Sequence, residues 1–465
     1  MSAEIPQLPE TAGWDDIRSL APGYESMLRQ VLELILTRFE RDPEYCLIDT
    51  KLDVKTGKDF YPVSDKSEAY RSKEVIYAWT QGRGMEALAG HLRWLAVAHS
   101  IKAVDRNLLS GRIRKLLTTE INTMEEIRSV NHGRVHFCMT AGGTPLEVVG
   151  HKNLRPAEYL MPESNYSDLF YARGLFAAGW ELGWGDKAQE AATAFKKVMD
   201  DIENGRFLSD RQVFDPHTPV LYVPGKVGAG PFRTALSGLA LFGAYNQETD
   251  WFGYAARFIA RVLDLHVNLD GRIPELPEYD FFEETDLSGK PWEHNDEIIS
   301  EPGRAIEFVA LASKCLIRMQ KKPEHKETLA RCLKIFPPLL VHQFELGFNP
   351  MAGGICRRFN LKTRKALSPN MPHWCLPAAM RAAALLIALD GKSKYRAALE
   401  KIIILASNAF AGKYLSPAVG MLAYPVRTAD GKVANIVLET PDVDPAFYTG
   451  LSMIDVIKAI DGHRI

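Results

Sequence analysis

Apolar residues recur three and four positions apart along residues 24–39, 84–100 and 107–130, and each run ends at a polar or glycine break. With about 3.6 residues to a turn, that spacing gathers the apolar side chains on one face of a helix. The same pattern predicts helices over residues 166–183, 187–204, 233–246, 251–266, 303–320, 325–346, 372–389, 393–410 and 448–460. They follow one another as hairpins, without a sequence repeat. Short strand-like stretches at 134–140, 355–360 and 421–426 lie between the pairs, each near glycines and too short for a large sheet. They predict hairpin loops on one rim of a helical barrel. Ala382, Ala383 and Ala384, and the small residues of 174–179, suit helices buried against both an inner and an outer neighbour. The one long irregular stretch, 268–301, is acidic and aromatic, and loops of this length in compact domains are often functional. No linker interrupts the pattern. One domain over residues 1–465 is expected, with residues 1–23 as an N-terminal extension.

Composition narrows the function classes. A chain with 46% hydrophobic and 25% charged residues and a formal net charge of -2 reads as globular, with no electrostatic footprint for nucleic acid or an anionic membrane. A small or weakly charged partner is expected. The first ten residues are polar and carry prolines, and no stretch approaches ~18 consecutive apolar residues, so a cytoplasmic location is expected. Cys46, Cys138, Cys315, Cys332, Cys356 and Cys375 are scattered without metal-ligand spacing, which predicts core packing and neither metal nor cofactor. There is no GxSxG elbow, HExxH, P-loop or Rossmann glycine pattern, which excludes serine hydrolase, zincin, NTPase and dehydrogenase readings.

Four segments carry a resemblance. Gly133-Arg134-Val135-His136-Phe137, with Thr140, Gly143, Pro145 and Leu146, leads into Met161-Pro162-Glu163-Ser164. Gln81-Gly82-Arg83 lies upstream. Asp270-Gly271-Arg272-Ile273-Pro274 and Glu301-Pro302-Gly303-Arg304-Ala305-Ile306-Glu307 flank the long loop, and Gly353-Gly354 precedes His373-Trp374-Cys375-Leu376-Pro377. In this order, with helices between them, they resemble the N-acylglucosamine 2-epimerase family over roughly residues 25–460. The resemblance implies an all-α (α/α)6 toroid with short β-hairpins in its rim loops and a sugar pocket at its centre. It also implies pairing through outer helices as a homodimer.

In that family, histidines move a proton at the carbon beside an open-chain sugar's carbonyl, a task suited to a base with a pKa near neutrality. Here the residue at the family's first histidine is Arg304; at the second it is Pro377, and the glutamate beside it becomes Ala379. Arginine stays protonated, so Arg304 is a clamp for a carboxylate, sulfate or developing enolate rather than a base. Glu307, one turn on, is its partner or orients it toward a ligand. His373, beside Trp374, either projects near the pocket or caps a helix, and Tyr166 is either a pocket acid or base or an ordinary packed aromatic. His294 either lines the mouth or is a solvated loop residue. Arg83 and Glu163 match the family in residue and context, as substrate-binding groups. Trp292 and Trp374 either stack on a sugar ring or pack in the core or rim.

The leading expectation is a sugar epimerase or aldose-ketose isomerase with a rewired acid/base set of His373, Tyr166, Arg304 and Glu307, and with Arg83, Glu163, Trp374, Trp292 and His294 binding substrate. Two alternatives stay open: a lyase or hydrolase acting on an acidic, uronate-type sugar, and a non-catalytic sugar-binding protein.

Overall fold

The structure, a computed structural model, describes residues 4–60, 66–98, 101–150, 153–212, 223–246, 248–434 and 444–462. Among them twelve helices of nine residues or more run in sequence: α1 (Ala21–Arg41), α2 (Ala78–Leu95), α3 (Ala103–Val130), α4 (Tyr166–Leu182), α5 (Gly185–Glu203), α6 (Gly230–Tyr245), α7 (Trp251–His266), α8 (Pro302–Met319), α9 (Lys326–Gly347), α10 (Cys375–Leu389), α11 (Arg396–Ala409) and α12 (Ser452–Ile460). Even-numbered helices pack on one another in a closed inner ring, and odd-numbered helices cover them outside. This is the (α/α)6 toroid. No helix among the described residues is long and apolar enough to cross a membrane.

The two rings differ in the way their burial demands. Outer α3 buries a stripe of Leu109, Ile113, Leu116, Leu117, Ile121, Met124 and Ile127 and turns charged residues such as Arg112, Lys115 and Glu126 away from it. Inner α2 is buried at every position but Arg93. A helix enclosed on all sides needs small residues where backbones cross. A Cβ on Gly82 would stand 2.6 Å from the Phe170 carbonyl oxygen of α4, and one on Gly174 would strike the Gly82 carbonyl oxygen, so two glycines let α2 and α4 touch. Local chemistry sets the starts. The Asn165 side chain accepts from Asp168 N at 3.1 Å while the Asp168 carboxylate accepts from Asn165 N, and Gly183 ends α4 with φ 77°. Pro231 and Pro302 occupy the first turns of α6 and α8, where a missing amide hydrogen costs nothing.

One contiguous apolar core runs from Leu8 to Ile460. Residues before 23 join it, since Trp14–Arg18 forms a short helix and Ile17 and Leu20 are fully buried. The strand-like stretches form two-stranded pairs on the rim: Gly354–Ile355 with Phe348–Asn349 and Leu422–Ala423 with Leu415–Ser416 as hairpins, and Cys138–Thr140 with Val75–Tyr77 across the intervening α2 and α3.

The long stretch 268–301 is more ordered than its composition suggests. Buried Asn268 donates to the carbonyls of Ile273, Leu276 and Pro277 at 3.1, 2.8 and 3.0 Å, and Asp280 is held by His342 at 2.7 Å and Arg364 at 2.6 Å. Its strands Glu284–Asp286 and Glu297–Ser300 pair with Lys226–Gly228 and Phe359–Asn360. Beneath them Leu276, Phe282, Ile298, Cys356, Phe359 and Leu361 make a second, smaller apolar cluster.

Candidate functional site

The first residues of the inner helices, or those just before them, meet around a cavity of about 590 Å³: Trp79 of α2, Tyr166 of α4, Gly230 and Pro231 of α6, Glu301 and Arg304 of α8, Trp374 before α10, and Phe447 and Tyr448 before α12. That volume lies within the range of about 300–1,000 Å³ usual for small-molecule sites. Because helix N-termini carry partial positive charge, the fold itself makes this end of the barrel attractive to anions.

Gln81-Gly82-Arg83 works as a unit. Gln81 bonds both backbone groups of Ile48, at 3.0 and 3.1 Å, Gly82 brings α4 close, and Arg83 is left pointing into a box of rings. Its guanidinium lies 4.1 Å from the Phe170 ring centre, 5.1 Å from Tyr448 and 5.3 Å from Trp79. Trp79 is itself fixed by a 3.2 Å bond from its indole N–H to Asp210. Tyr166 packs edge-on to Trp79 and Phe207 at 5.3 and 4.9 Å, with its hydroxyl beside Gly230.

On the facing wall, one oxygen of Glu307 receives two arginines, Arg233 Nε at 3.0 Å and Arg304 Nη1 at 3.1 Å. Arg304 also lies 4.4 Å over the Trp374 ring, so ring and carboxylate together fix its plane. Glu283 Oε1 stands 3.5 Å from Arg233, while its Oε2 is buried and, among the described residues, has no hydrogen-bond partner. Burial pushes the Glu283 carboxyl up to about 7; Arg233 and Arg304 pull against the rise, and Glu301 and Glu284 add to it. At the cavity floor Arg381 pairs with Asp455 at 2.5 Å, and Lys314 reaches the same carboxylate at 2.9 Å. Burial alone would raise Asp455, but these two cations hold it at about 2.

Among the expected site residues, Arg83, Tyr166, Trp292, His294, Arg304, Glu307 and Trp374 all line this cavity, with His294 on its exposed rim. Glu163 and His373 are not among the lining residues. Arg134 takes Glu163 by its backbone carbonyl at 2.7 Å and Asp168 by its carboxylate at 2.6 Å, so the segment before α4 is clamped through main chain. His373 is buried behind Trp374, its Nδ1 3.2 Å from Pro425 O and its Nε2 3.9 Å from Asp444. Asp444 in turn accepts from the amides of Phe447, Tyr448 and Thr449, which makes the histidine part of a helix-capping arrangement.

The sequence reading missed Glu283, Arg233, Arg357 and Arg358, which line the same cavity. The signal for Glu283 was its place in the acidic stretch 268–301; for the arginines nothing marked them in the sequence. Among the described residues no group of three His, Cys, Asp or Glu side chains is placed to hold a metal ion, and all six cysteines are free thiols.

No family model and no curated protein matches the sequence. Solved structures do match the fold. A sugar epimerase from a ruminal bacterium aligns with a TM-score of 0.61 at 16% identity, over 93% of this chain and 98% of its own. D-mannose isomerase aligns with a TM-score of 0.63 at 12% identity over 94% and 97%, and cellobiose 2-epimerase from Spirochaeta thermophila with 0.60 at 13% over 97% and 98%. The toroid is the one these sugar enzymes use. The same toroid also aligns, at a TM-score of 0.51 and 12% identity, with an unsaturated glucuronyl hydrolase specific for heparin, over 97% of this chain and 99% of that one. At these identities the shared toroid is a statement about fold.

Proposed function

We propose that the chain is a sugar epimerase or aldose-ketose isomerase of the N-acylglucosamine 2-epimerase type, working by proton transfer beside a carbonyl in the central cavity. The observation that carries this is Glu283: a cavity carboxyl with one buried oxygen unpartnered among the described residues, next to two arginines locked on Glu307. A base poised near neutrality takes a proton from a carbon acid most effectively at working pH, and burial supplies that here in place of histidine.

In the step proposed, ionised Glu283 takes the proton from the carbon next to the carbonyl of an open-chain sugar. The C–H electron pair becomes the C=C bond of an enediolate, and the carbonyl π pair moves onto oxygen, where Arg304 or Arg233 stabilises the charge. Returning the proton to the former carbonyl carbon, while the neighbouring hydroxyl proton passes to the charged oxygen, gives the ketose; a proton delivered by Tyr166 to the opposite face of the original carbon gives the epimer, and exchange with solvent then returns Glu283 and Tyr166 to their starting protonation states. Arg83 in its aromatic box, Trp374 and Trp292 hold the ring or chain.

A second reading, hydrolysis or elimination on an acidic sugar, is favoured by the several carboxyls that share the cavity, Glu301 adding to the rise at Glu283. Proton NMR in deuterium oxide separates them, using a panel of aldoses, ketoses, N-acetylhexosamines and uronates. Deuterium at the carbon beside the carbonyl, with a new epimer or ketose, supports proton-transfer isomerisation. An alkene signal or a released sugar without exchange replaces it with the second reading, and binding without any turnover leaves a sugar-binding protein.

A further inference from the structure

The charges lining the cavity do not balance. Eight arginines and one lysine face five glutamates. Glu86 and Asp455 neutralise Arg173 and Arg381 from behind, at 2.7 and 2.5 Å, and Glu284 takes Lys226 at 2.7 Å. Glu307 is shared between Arg233 and Arg304. Four cations, Arg83, Arg211, Arg357 and Arg358, remain outside this pairing, and Arg83 is the one set among aromatic rings. Among the described residues, Arg357 and Arg358 have no carboxylate within 4.0 Å and no side-chain hydrogen bond.

Both are nevertheless fixed at their roots. Arg357 N donates to Asn370 O at 2.9 Å, the Arg358 carbonyl accepts from Leu367 N at 2.9 Å, and the next residue, Phe359, enters the rim sheet opposite Ser300. That sheet also carries His294, Glu297 and Ile299 along the cavity edge. Both side chains are half-buried and line the same cavity, and partly desolvated guanidinium groups carry a cost that is offset when an oxyanion accepts from them. The converging helix N-termini add to the same field.

We infer that the molecule bound in the central cavity is an anionic sugar, whose carboxylate, sulfate or phosphate is seated on Arg357 and Arg358 at the rim while its carbon skeleton lies inward toward Arg83 and Trp374. This rests on the cavity being a sugar site, and it specifies the substrate class for that site.

The test is isothermal titration of the full chain with glucose, glucuronate, glucose 6-sulfate and glucose 6-phosphate at low and high salt, beside the variants R357Q, R358Q and the double variant, each checked for an unchanged thermal melt. At least one anionic sugar binds about tenfold or more tighter than glucose, the advantage shrinks at high salt, and the double variant loses it while keeping its affinity for glucose. Which anion gains most distinguishes carboxylate from tetrahedral recognition. Equal affinity for glucose and all three anions, a preference that survives in the folded double variant, or no binding by any of the four overturns the inference. The proton-transfer reading fails separately. Anion preference without deuterium exchange would leave this inference standing and remove that one, whereas exchange on neutral sugars with no anion preference does the reverse.

Discussion

Replacing Glu283 by glutamine keeps the shape of the side chain and removes its titration, so the structural cost of its raised pKa can be read directly. Its pKa moves from 4.5 to about 7 on folding. Below pH 4.5 the carboxyl is protonated in both folded and unfolded chains, and its contribution to stability is fully present. Between 4.5 and about 7 the unfolded chain has released the proton while the folded chain still holds it, so stability falls as pH rises. At about 1.4 kcal/mol per unit, the loss reaches about 3 kcal/mol once the folded-state pKa is passed. Glutamine has no such loss. The stability of Glu283→Gln relative to the native chain is therefore expected to rise by about 3 kcal/mol between pH 4.5 and pH 8. With an unfolding entropy of roughly 2 cal/mol/K per residue, a chain of 465 residues converts this into a relative gain of about 3 °C in Tm. Scanning calorimetry of both proteins across that pH range reads it, and the difference between the two is the quantity of interest. On a substrate that shows exchange, the same variant is expected to lose roughly 100-fold or more in kcat, and the native enzyme's rate to rise through about pH 7. A Tm difference that stays flat with pH, or declines as pH rises, would refute the argument that Glu283 is a buried acid.

Three further outcomes follow from the geometry. Gly174→Ala drives a methyl group into the Gly82 carbonyl at the α2–α4 crossing and is expected to cost about 3 kcal/mol or more in thermal or urea unfolding, because neither backbone has room to move. Glu307→Gln leaves Arg233 and Arg304 without their shared anion. It is expected to lower stability by about 1–3 kcal/mol and to weaken sugar binding through loss of Arg304's alignment over Trp374, both read by melting and titration. His373→Gln is expected to lower Tm by loosening the Asp444 cap while leaving the pH dependence of turnover unchanged; a lost or shifted pH limb would return the histidine to the chemistry.

What the sequence made legible was what local physics determines. The outer helices carry one apolar stripe each, and the 251–266 expectation coincides with Trp251–His266 because Asp250 caps its start. The inner helices are harder, since a helix buried on every side has no stripe to read. Residues 84–100 were expected where α2 runs Ala78–Leu95, because Gln81 and Arg83 look like a polar break. Apart from Trp79 one turn away, their partners, the Ile48 backbone and the rings of Phe170, Phe447 and Tyr448, come from elsewhere in the chain. The candidate site divides the same way. Arg83, Arg304 and Glu307 stood out because each sits in a short motif at a helix start. Glu163 and His373 sit in such motifs too, yet the first is used through its carbonyl and the second caps a helix through Asp444, choices that depend on which way a single rotamer turns.

Glu283 shows why the rest was not legible. A glutamate in an acidic loop reads as solvated, and only tertiary structure reverses that. Three residues earlier Asp280 is fully buried between His342 of α9 and Arg364, and Asn268 ties down the loop's first turn, so the chain arrives at Glu283 already fixed against the barrel mouth. From there its backbone N–H reaches Ile299 O at 3.2 Å and its carbonyl takes Ala229 N at 3.1 Å, which leaves the side chain nowhere to go but the cavity. Under the proposed function, with arginine and proline in place of the resemblance's two histidines, a base effective near neutrality is made by burying a carboxyl. The acidic loop over the arginine-lined cavity is where the proposed function places that base, at Glu283.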